Sequence, residues 1–318
     1  MSSLKIAVLE SLGIPDDALH ALEEPFRAEG HCFTHHERTT DTAVLQQEMR
    51  DADAVILANM PLPAEAIDSA ERLSFIDVAF TGVDHVAMEC VRRHGITLSN
   101  ASGYSNEAVA ELGVGMVLSL MRKLPQVEEK CRTGGTKAGL IGCELRGKTV
   151  GVVGLGQIGR RTAELMHAFG CRILSSSRSR HADCPAYVTE LPLADVLRES
   201  DVVMLHCPLN ESTRGLIGMN ELKLMKPTAM LVNLARGPVV VARELADALN
   251  QGVIAAAAVD VFDREPPLDA DEPLLHCRNI MVTPHVAFAT QESMLLRAQI
   301  VFDNLRAWLQ GRPQNVVK

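Results

Sequence analysis

Short apolar runs rich in β-branched residues alternate along the chain with stretches whose apolar positions fall three and four residues apart. The runs KIAVLE (5–10), DAVILAN (53–59), LSFIDVAF (73–80) and ITLS (96–99) predict a first series of strands. A second series, longer and more apolar, follows at KTVGVVG (148–154), CRILSSS (171–177), DVVMLHC (201–207), AMLVNLA (229–235), IAAAAVDVF (254–262) and NIMVTP (279–284). Such alternation predicts βα units and parallel sheets, the α/β class. Between the series Val109, Leu112, Met116, Val117, Leu120, Met121 and Leu124 recur at helical steps before Pro125. This predicts a helix that carries the chain from one series into the next, with Met116 and Met121 in the core. A last amphipathic helix runs from Met294 to Leu309 and holds the single tryptophan, Trp308.

Length and composition narrow the function. At 318 residues, 47% of them hydrophobic, the chain is long enough for two domains with sizeable cores. Neither an internal repeat nor a Gly/Ser linker separates the series, so ordered elements that can hinge should join the domains. The net charge of −9, without a dense Lys/Arg run, argues against nucleic-acid or membrane partners and for small-molecule chemistry. The eight cysteines are scattered without a CxxC pair and read as reduced, structural thiols of a cytoplasmic protein.

The most informative stretch is GVVGLGQIGRRTAELMHAFGCRILSSSRSR, residues 151–180. Gly154, Gly156 and Gly159 follow a predicted strand and open a predicted helix, the context in which GxGxxG marks a dinucleotide site. One glycine serves the tight turn, one the close approach of a pyrophosphate, and one the packing of helix on strand. The phosphate then meets the helix N-terminus at Gln157 and Ile158. The second strand should end in the Asp or Glu that binds both ribose hydroxyls of NAD, but position 177 is serine. A carboxylate there would repel the 2′-phosphate of NADP by about 4 kcal/mol at about 4 Å and an effective dielectric near 20. Ser177, Arg178, Ser179 and Arg180 offer hydroxyls and guanidinium groups instead, with Arg178 as the primary phosphate clamp. This predicts NADP as the preferred cofactor, with NAD possible.

Three further motifs lie at or after strand ends: NLARGPVV (233–240), DVFDREPP (260–267) and TPHVAFAT (283–290). Ligands of open α/β sheets bind at the carboxyl ends of strands, so Arg236, Glu265 and His285 are expected to converge. The cluster HCFTHH (31–36) precedes a predicted surface turn and is assigned no metal.

Taken in order, TGVDH, NEAVAE, GKTVGVVGLGQIGRR, HCPLNESTRGLI, LVNLARGPVV, DVFDREPP and TPHVAF resemble the D-isomer-specific 2-hydroxyacid dehydrogenase family over nearly the whole chain. The resemblance implies two doubly wound parallel-sheet domains: a Rossmann-like dinucleotide-binding domain at 101–285 and a flavodoxin-like substrate domain at 1–100 plus 286–318. It makes His285 the acid/base, Glu265 its partner and Arg236 the substrate clamp, with a second carboxylate contact from the backbone of Gly82 and Val83. Asp260 would hold the nicotinamide carboxamide. His206, Cys207, Pro208, Thr213 and Ala235 would line the cofactor. The chemistry agrees, because reducing a 2-oxo acid needs a proton at the carbonyl oxygen and a cation on the carboxylate.

The serine- and arginine-bearing loop is similar to that of NADP-dependent glyoxylate/hydroxypyruvate reductases. The expected function is therefore reduction of such a small 2-oxo acid to the D-2-hydroxy acid by a homodimer. The alternatives are an NAD-dependent D-2-hydroxyacid, phosphoglycerate or phosphite dehydrogenase, and a nucleotide-sensing binding protein similar to co-repressors of this fold. Glu265 disfavours formate, since formate dehydrogenases carry glutamine there. Phe288 stands where relatives usually have a small residue.

Overall fold

The computed structural model describes residues 3–178, 183–265 and 267–317. The chain divides into two compact units, Met1–Ser105 with Ala289–Lys318, and Asn106–Phe288. Both divisions fall a few residues beyond the expected boundaries.

The first unit opens with β1 (Lys5–Val8), α1 (Asp16–Ala28), β2 (Cys32–His35), α2 (Thr42–Met49), β3 (Ala54–Leu57), α3 (Ala64–Ser69), β4 (Phe75–Val78), α4 (Met88–His94) and β5 (Thr97–Asn100). Its five-stranded sheet has the order β2-β1-β3-β4-β5, and every neighbouring pair is parallel. This is the flavodoxin-like order. Strands β3 and β4 are buried throughout, as apolar runs sandwiched between helices must be.

HCFTHH supplies the edge strand β2, absent from the predicted runs, and an irregular stretch over 36–41 follows it. Its alternation is weak because only Phe33 of the strand is buried. His35 pairs with Glu23 at 2.8 Å and His36 with Glu48 at 3.3 Å, so these histidines face different carboxylates.

The second unit contains α5 (Asn106–Arg122), α6 (Leu124–Arg132), β6 (Thr149–Val153), α7 (Gln157–Ala168), β7 (Arg172–Ser176), β8 (Val188–Glu190), α8 (Leu193–Glu199), β9 (Val202–Leu205), α9 (Met219–Leu222), β10 (Met230–Asn233), α10 (Ala242–Gln251), β11 (Ala256–Val259) and β12 (Ile280–Val282). The predicted connecting helix is α5, which starts where this unit starts and buries Met116 and Met121. It stops before Lys123, whose φ of 52° breaks the helix ahead of Pro125 in the first turn of α6.

The seven strands order as β12-β11-β10-β9-β6-β7-β8, all parallel. This is a Rossmann order extended by one strand, with its topological switch point between β6 and β9. The short edge strand β8 lies outside the predicted runs because Val188 is its single buried residue.

The last helix, α11 (Gln291–Leu309), belongs to the first unit. Trp308 stacks on Phe75 at 4.8 Å, and Asn304 donates to Asp77 Oδ1 and to the Asn100 carbonyl. These contacts tie the chain's end to β4 and β5. No helix among the described residues is long and apolar enough to cross a membrane.

Candidate active site

The glycine turn sits at the carboxyl end of β6, beside the switch point. Gly154 has a φ of 96°, and a Cβ on it would lie 2.7 Å from the Cys207 amide nitrogen, so the turn after β9 packs directly on it. A Cβ on Gly159 would lie 2.0 Å from the Gly154 carbonyl oxygen, which explains why α7 can lie so close to β6. Gly156 is different, since a Cβ there would meet nothing within 4 Å. Its open face, and the first turn of α7 with no side-chain cap, leave backbone N–H groups available to an anion.

At the end of β7, Ser177 Oγ accepts from the Leu155 N–H at 3.1 Å, bracing the glycine turn from the neighbouring strand. Arg178 follows and is exposed. Ser179 and Arg180 lie outside the described residues. Below the same turn, Gln157 Oε1 accepts from Asn106 Nδ2 at 2.9 Å, which fixes the start of α7 to α5.

The turn after β9 carries the second group of expected cofactor residues. Thr213 Oγ1 donates to the Pro208 carbonyl at 2.6 Å and accepts from the Asn210 N–H at 2.8 Å, closing the loop on itself. His206 Nε2 is sealed from solvent and has no hydrogen-bond partner among the described residues. Burial pushes the His206 pKa down to about 4, so the imidazole is neutral near pH 7. A neutral, orphaned nitrogen, an open glycine face, uncapped helix N–H groups and a β7 end without a carboxylate form a donor set that suits an anionic dinucleotide.

The chemical residues follow three strands that are neighbours in the sheet. Arg236 comes after β10, Asp260 after β11 and His285 after β12. Parallel neighbours about 4.8 Å apart deliver such residues to one edge. Behind Arg236, buried Asn233 accepts from the Ala235 N–H at 3.1 Å and donates to the Arg236 carbonyl at 3.0 Å. This turns the chain sharply after the strand and leaves the guanidinium half-buried, with Nη1 donating to the Ala235 carbonyl.

His285 has a φ of 54°, left-handed backbone that is uncommon for a residue with a Cβ. The device that holds it there is Asp260. This fully buried residue accepts from the Thr283 hydroxyl at 2.5 Å and the Val286 N–H at 2.9 Å on Oδ1, and from the Ala287 N–H at 2.8 Å on Oδ2. Its own carbonyl accepts from the His285 N–H at 2.8 Å. Asp260 is expected from the sequence to meet the nicotinamide carboxamide. Its described contacts make it the anchor of the loop that bears His285, a role with no signature in the motif DVFDREPP.

His285 Nδ1 lies 2.8 Å from Glu265 Oε2. A carboxylate at Nδ1 fixes the ring's orientation and tautomer and leaves proton exchange to Nε2. Phe288 meets the His285 ring edge to face, with centroids 5.6 Å apart and planes at 85°. Gly82 and Val83 belong to the first unit, in the turn that follows β4.

Comparison with known proteins agrees with this architecture. Residues 114–287 match the model of the D-isomer specific 2-hydroxyacid dehydrogenase NAD binding domain. The chain is 40% identical over 285 residues to a glyoxylate reductase of Aeropyrum pernix, covering 86% of this chain and 85% of that protein. It is 31% identical over 301 residues to a hydroxypyruvate reductase of Blautia hydrogenotrophica, covering 91% and 92%. Among solved structures, an NADPH-dependent glyoxylate/hydroxypyruvate reductase from Sinorhizobium meliloti, in complex with NADP and malonate, superposes with a TM-score of 0.86 at 30% identity. That match covers 99% of this chain and 97% of the other. With the glycine turn, the strand order and the His285–Glu265 pair in place, the chain belongs to the D-isomer specific 2-hydroxyacid dehydrogenase family, oxidoreductases that work with a nicotinamide cofactor.

Proposed function

We propose that this protein reduces a small 2-oxo acid of the glyoxylate or hydroxypyruvate type to the D-2-hydroxy acid, with NADPH preferred over NADH. The observation that carries the reading is the His285 Nδ1–Glu265 Oε2 pair at 2.8 Å, held on a strained loop at the same sheet edge as Arg236. The names of the relatives from Aeropyrum pernix and Blautia hydrogenotrophica support the substrate class.

Gly154, Gly156, Gly159 and the first turn of α7 would hold the pyrophosphate, with Ser177 and Arg178 at the adenosine ribose. When bound, the reduced nicotinamide supplies a hydride to the carbonyl carbon. The chain's own part is to bind, orient and protonate. Arg236 pairs with the substrate carboxylate through two parallel hydrogen bonds. His285 gives its Nε2 proton to the carbonyl oxygen as negative charge develops there, while Glu265 stabilises the imidazolium and keeps its ring in place. In the oxidative direction the same nitrogen takes the proton back.

NADP preference rests on the missing carboxylate at position 177 and on Arg178 beside it. The protein acts in the cytoplasm as a homodimer. Helix α6, which buries none of its residues within the chain, would contribute the dimer face, with Leu124 and Val127 exposed on it. Light scattering on the eluted protein tests this, and a monomer of 34.5 kDa would refute it.

The activity test is oxidation of NADPH and NADH, in parallel, with glyoxylate, hydroxypyruvate, pyruvate and phenylpyruvate, for the wild type and Arg178→Ala. The reading expects turnover of the two small acids and an NADPH preference that collapses in the variant. No turnover of any oxo acid, despite tight cofactor binding, would reject the reductase assignment.

A further inference from the structure

In the first unit, α3 and α4 bring three chemically different donors together. Cys90 and His94 stand four residues apart on one face of α4, and Asp68 reaches across from α3. Cys90 Sγ lies 3.1 Å and His94 Nε2 2.6 Å from the same oxygen, Asp68 Oδ1, and all three ligand atoms fall within 4.8 Å of one another. Among the described residues no other group of histidine, cysteine and carboxylate has this spacing.

We propose that Asp68, Cys90 and His94 form a site for a zinc-class divalent cation that ties α3 to α4. Thiolate, imidazole and carboxylate are the donors such an ion takes, and a four-coordinate ion leaves the fourth position to water. Ligands at zinc distances sit about 3.3–3.8 Å apart, so the present cluster needs only small side-chain movements. Buried Cys90 is the fixed donor, while Asp68 and His94 are exposed and can adjust.

The cluster already holds a cation. Arg93 Nη2 donates to Asp68 Oδ1 at 2.5 Å and to Cys90 Sγ at 3.4 Å, so its guanidinium lies against both donors. Exposed ion pairs of this kind contribute little to stability, so the guanidinium can swing into solvent at little cost. The three donors on Asp68, Cys90 first, hold its carboxyl below the usual range, whereas burial and the Asp68 charge raise the Cys90 thiol. As the metal–sulfur bond forms, the Cys90 S–H bond breaks and its proton leaves to solvent, while Asp68 is anionic from the start. The sequence motifs assign no metal because Asp68 lies on a different helix from the other two donors.

Cobalt(II) titration of the chelator-treated full-length protein tests the site. The expected result is one equivalent bound per chain, with a thiolate-to-cobalt charge-transfer band in the near ultraviolet that zinc(II) bleaches. Cys90→Ser should abolish the band. His94→Gln, at an exposed position that folding tolerates, should weaken cobalt binding at least tenfold, and Arg93→Gln should tighten it by removing the competing cation. Absence of the band in the wild type would overturn the proposal. So would a band that survives Cys90→Ser and must come from another of the eight cysteines, or affinity unmoved by both α4 variants.

Discussion

The turn after β6 and the turn after β12 leave the same edge of one sheet but are held in opposite ways. The glycine turn works by removing side chains: Gly154 and Gly159 let backbone approach backbone, and Gly156 presents a bare face. The His285 turn works by adding a group, because the buried Asp260 carboxylate gathers the Thr283 hydroxyl and two N–H groups and so holds His285 at positive φ. The first turn must fit a polyanion and needs space and N–H groups. The second must aim one imidazole, and needs a rigid internal strut. The aim of the His285 ring is therefore set by a buried residue twenty-five positions earlier in the chain.

The largest expected effect is on chemistry. His285→Gln should lower kcat by about 10²–10⁴-fold with cofactor affinity little changed, since general acid–base help is worth that much. Steady-state rates beside nicotinamide fluorescence titrations check it, and a kcat within threefold of wild type would remove His285 from its proposed role.

Acid should act on the glycine side. The folded His206 pKa of about 4 lies below the ordinary value near 6.5, so the unfolded chain takes up a proton that the folded chain refuses. Stability is complete above about pH 6.5 and falls as pH drops toward 4, by up to about 3 kcal/mol from this residue. Urea denaturation across that window, with His206→Asn showing a flatter profile, measures the share.

The two roles within the glycine turn can be separated. Gly159→Ala places a methyl against the Gly154 carbonyl and should cost about 1–3 kcal/mol of stability, seen as a lower Tm. Gly156→Ala meets open space and should leave Tm unchanged while weakening NADPH binding. Equal Tm losses would break the distinction.

Asp260→Asn puts an amide donor where N–H groups already point. A cost of about 1–3 kcal/mol is expected, with reduced kcat from a loosened His285. A stable variant with full kcat would show that the strut is dispensable.

The smallest effect is expected at the rim. Arg178→Ala should raise the NADPH KM about tenfold, near 1.4 kcal/mol, and leave that for NADH unchanged.

Both sheets were legible where strands lie in the interior, because burial on two faces forces continuous apolar runs such as AVIL in β3 and VVML in β9. Of the four edge strands, β5 and β12 were legible as short runs, but β2 and β8 were not, since their buried apolar signal thins to Phe33 or Val188. At the site, Gly154, Gly156, Gly159, Arg236, Glu265 and His285 could be named from local motifs, each a short stretch of chain with its own chemistry. The bracing contacts of Asp260 were not legible, because its partners, Thr283, Val286 and Ala287, lie more than twenty residues away.

The sequence by itself determined the class of sheet, the glycine turn, the missing carboxylate at position 177 and the candidate groups Arg236, Glu265 and His285, all properties of short segments whose periodicity and residue types act locally. Only the tertiary structure decided that Asp260 braces His285, that His206 is a buried neutral imidazole, that the chain's last helix closes the first unit through Trp308 and Asn304, and that Asp68 meets Cys90 and His94. Each of these depends on which distant segments share a burial environment, and that is set by packing across the whole fold.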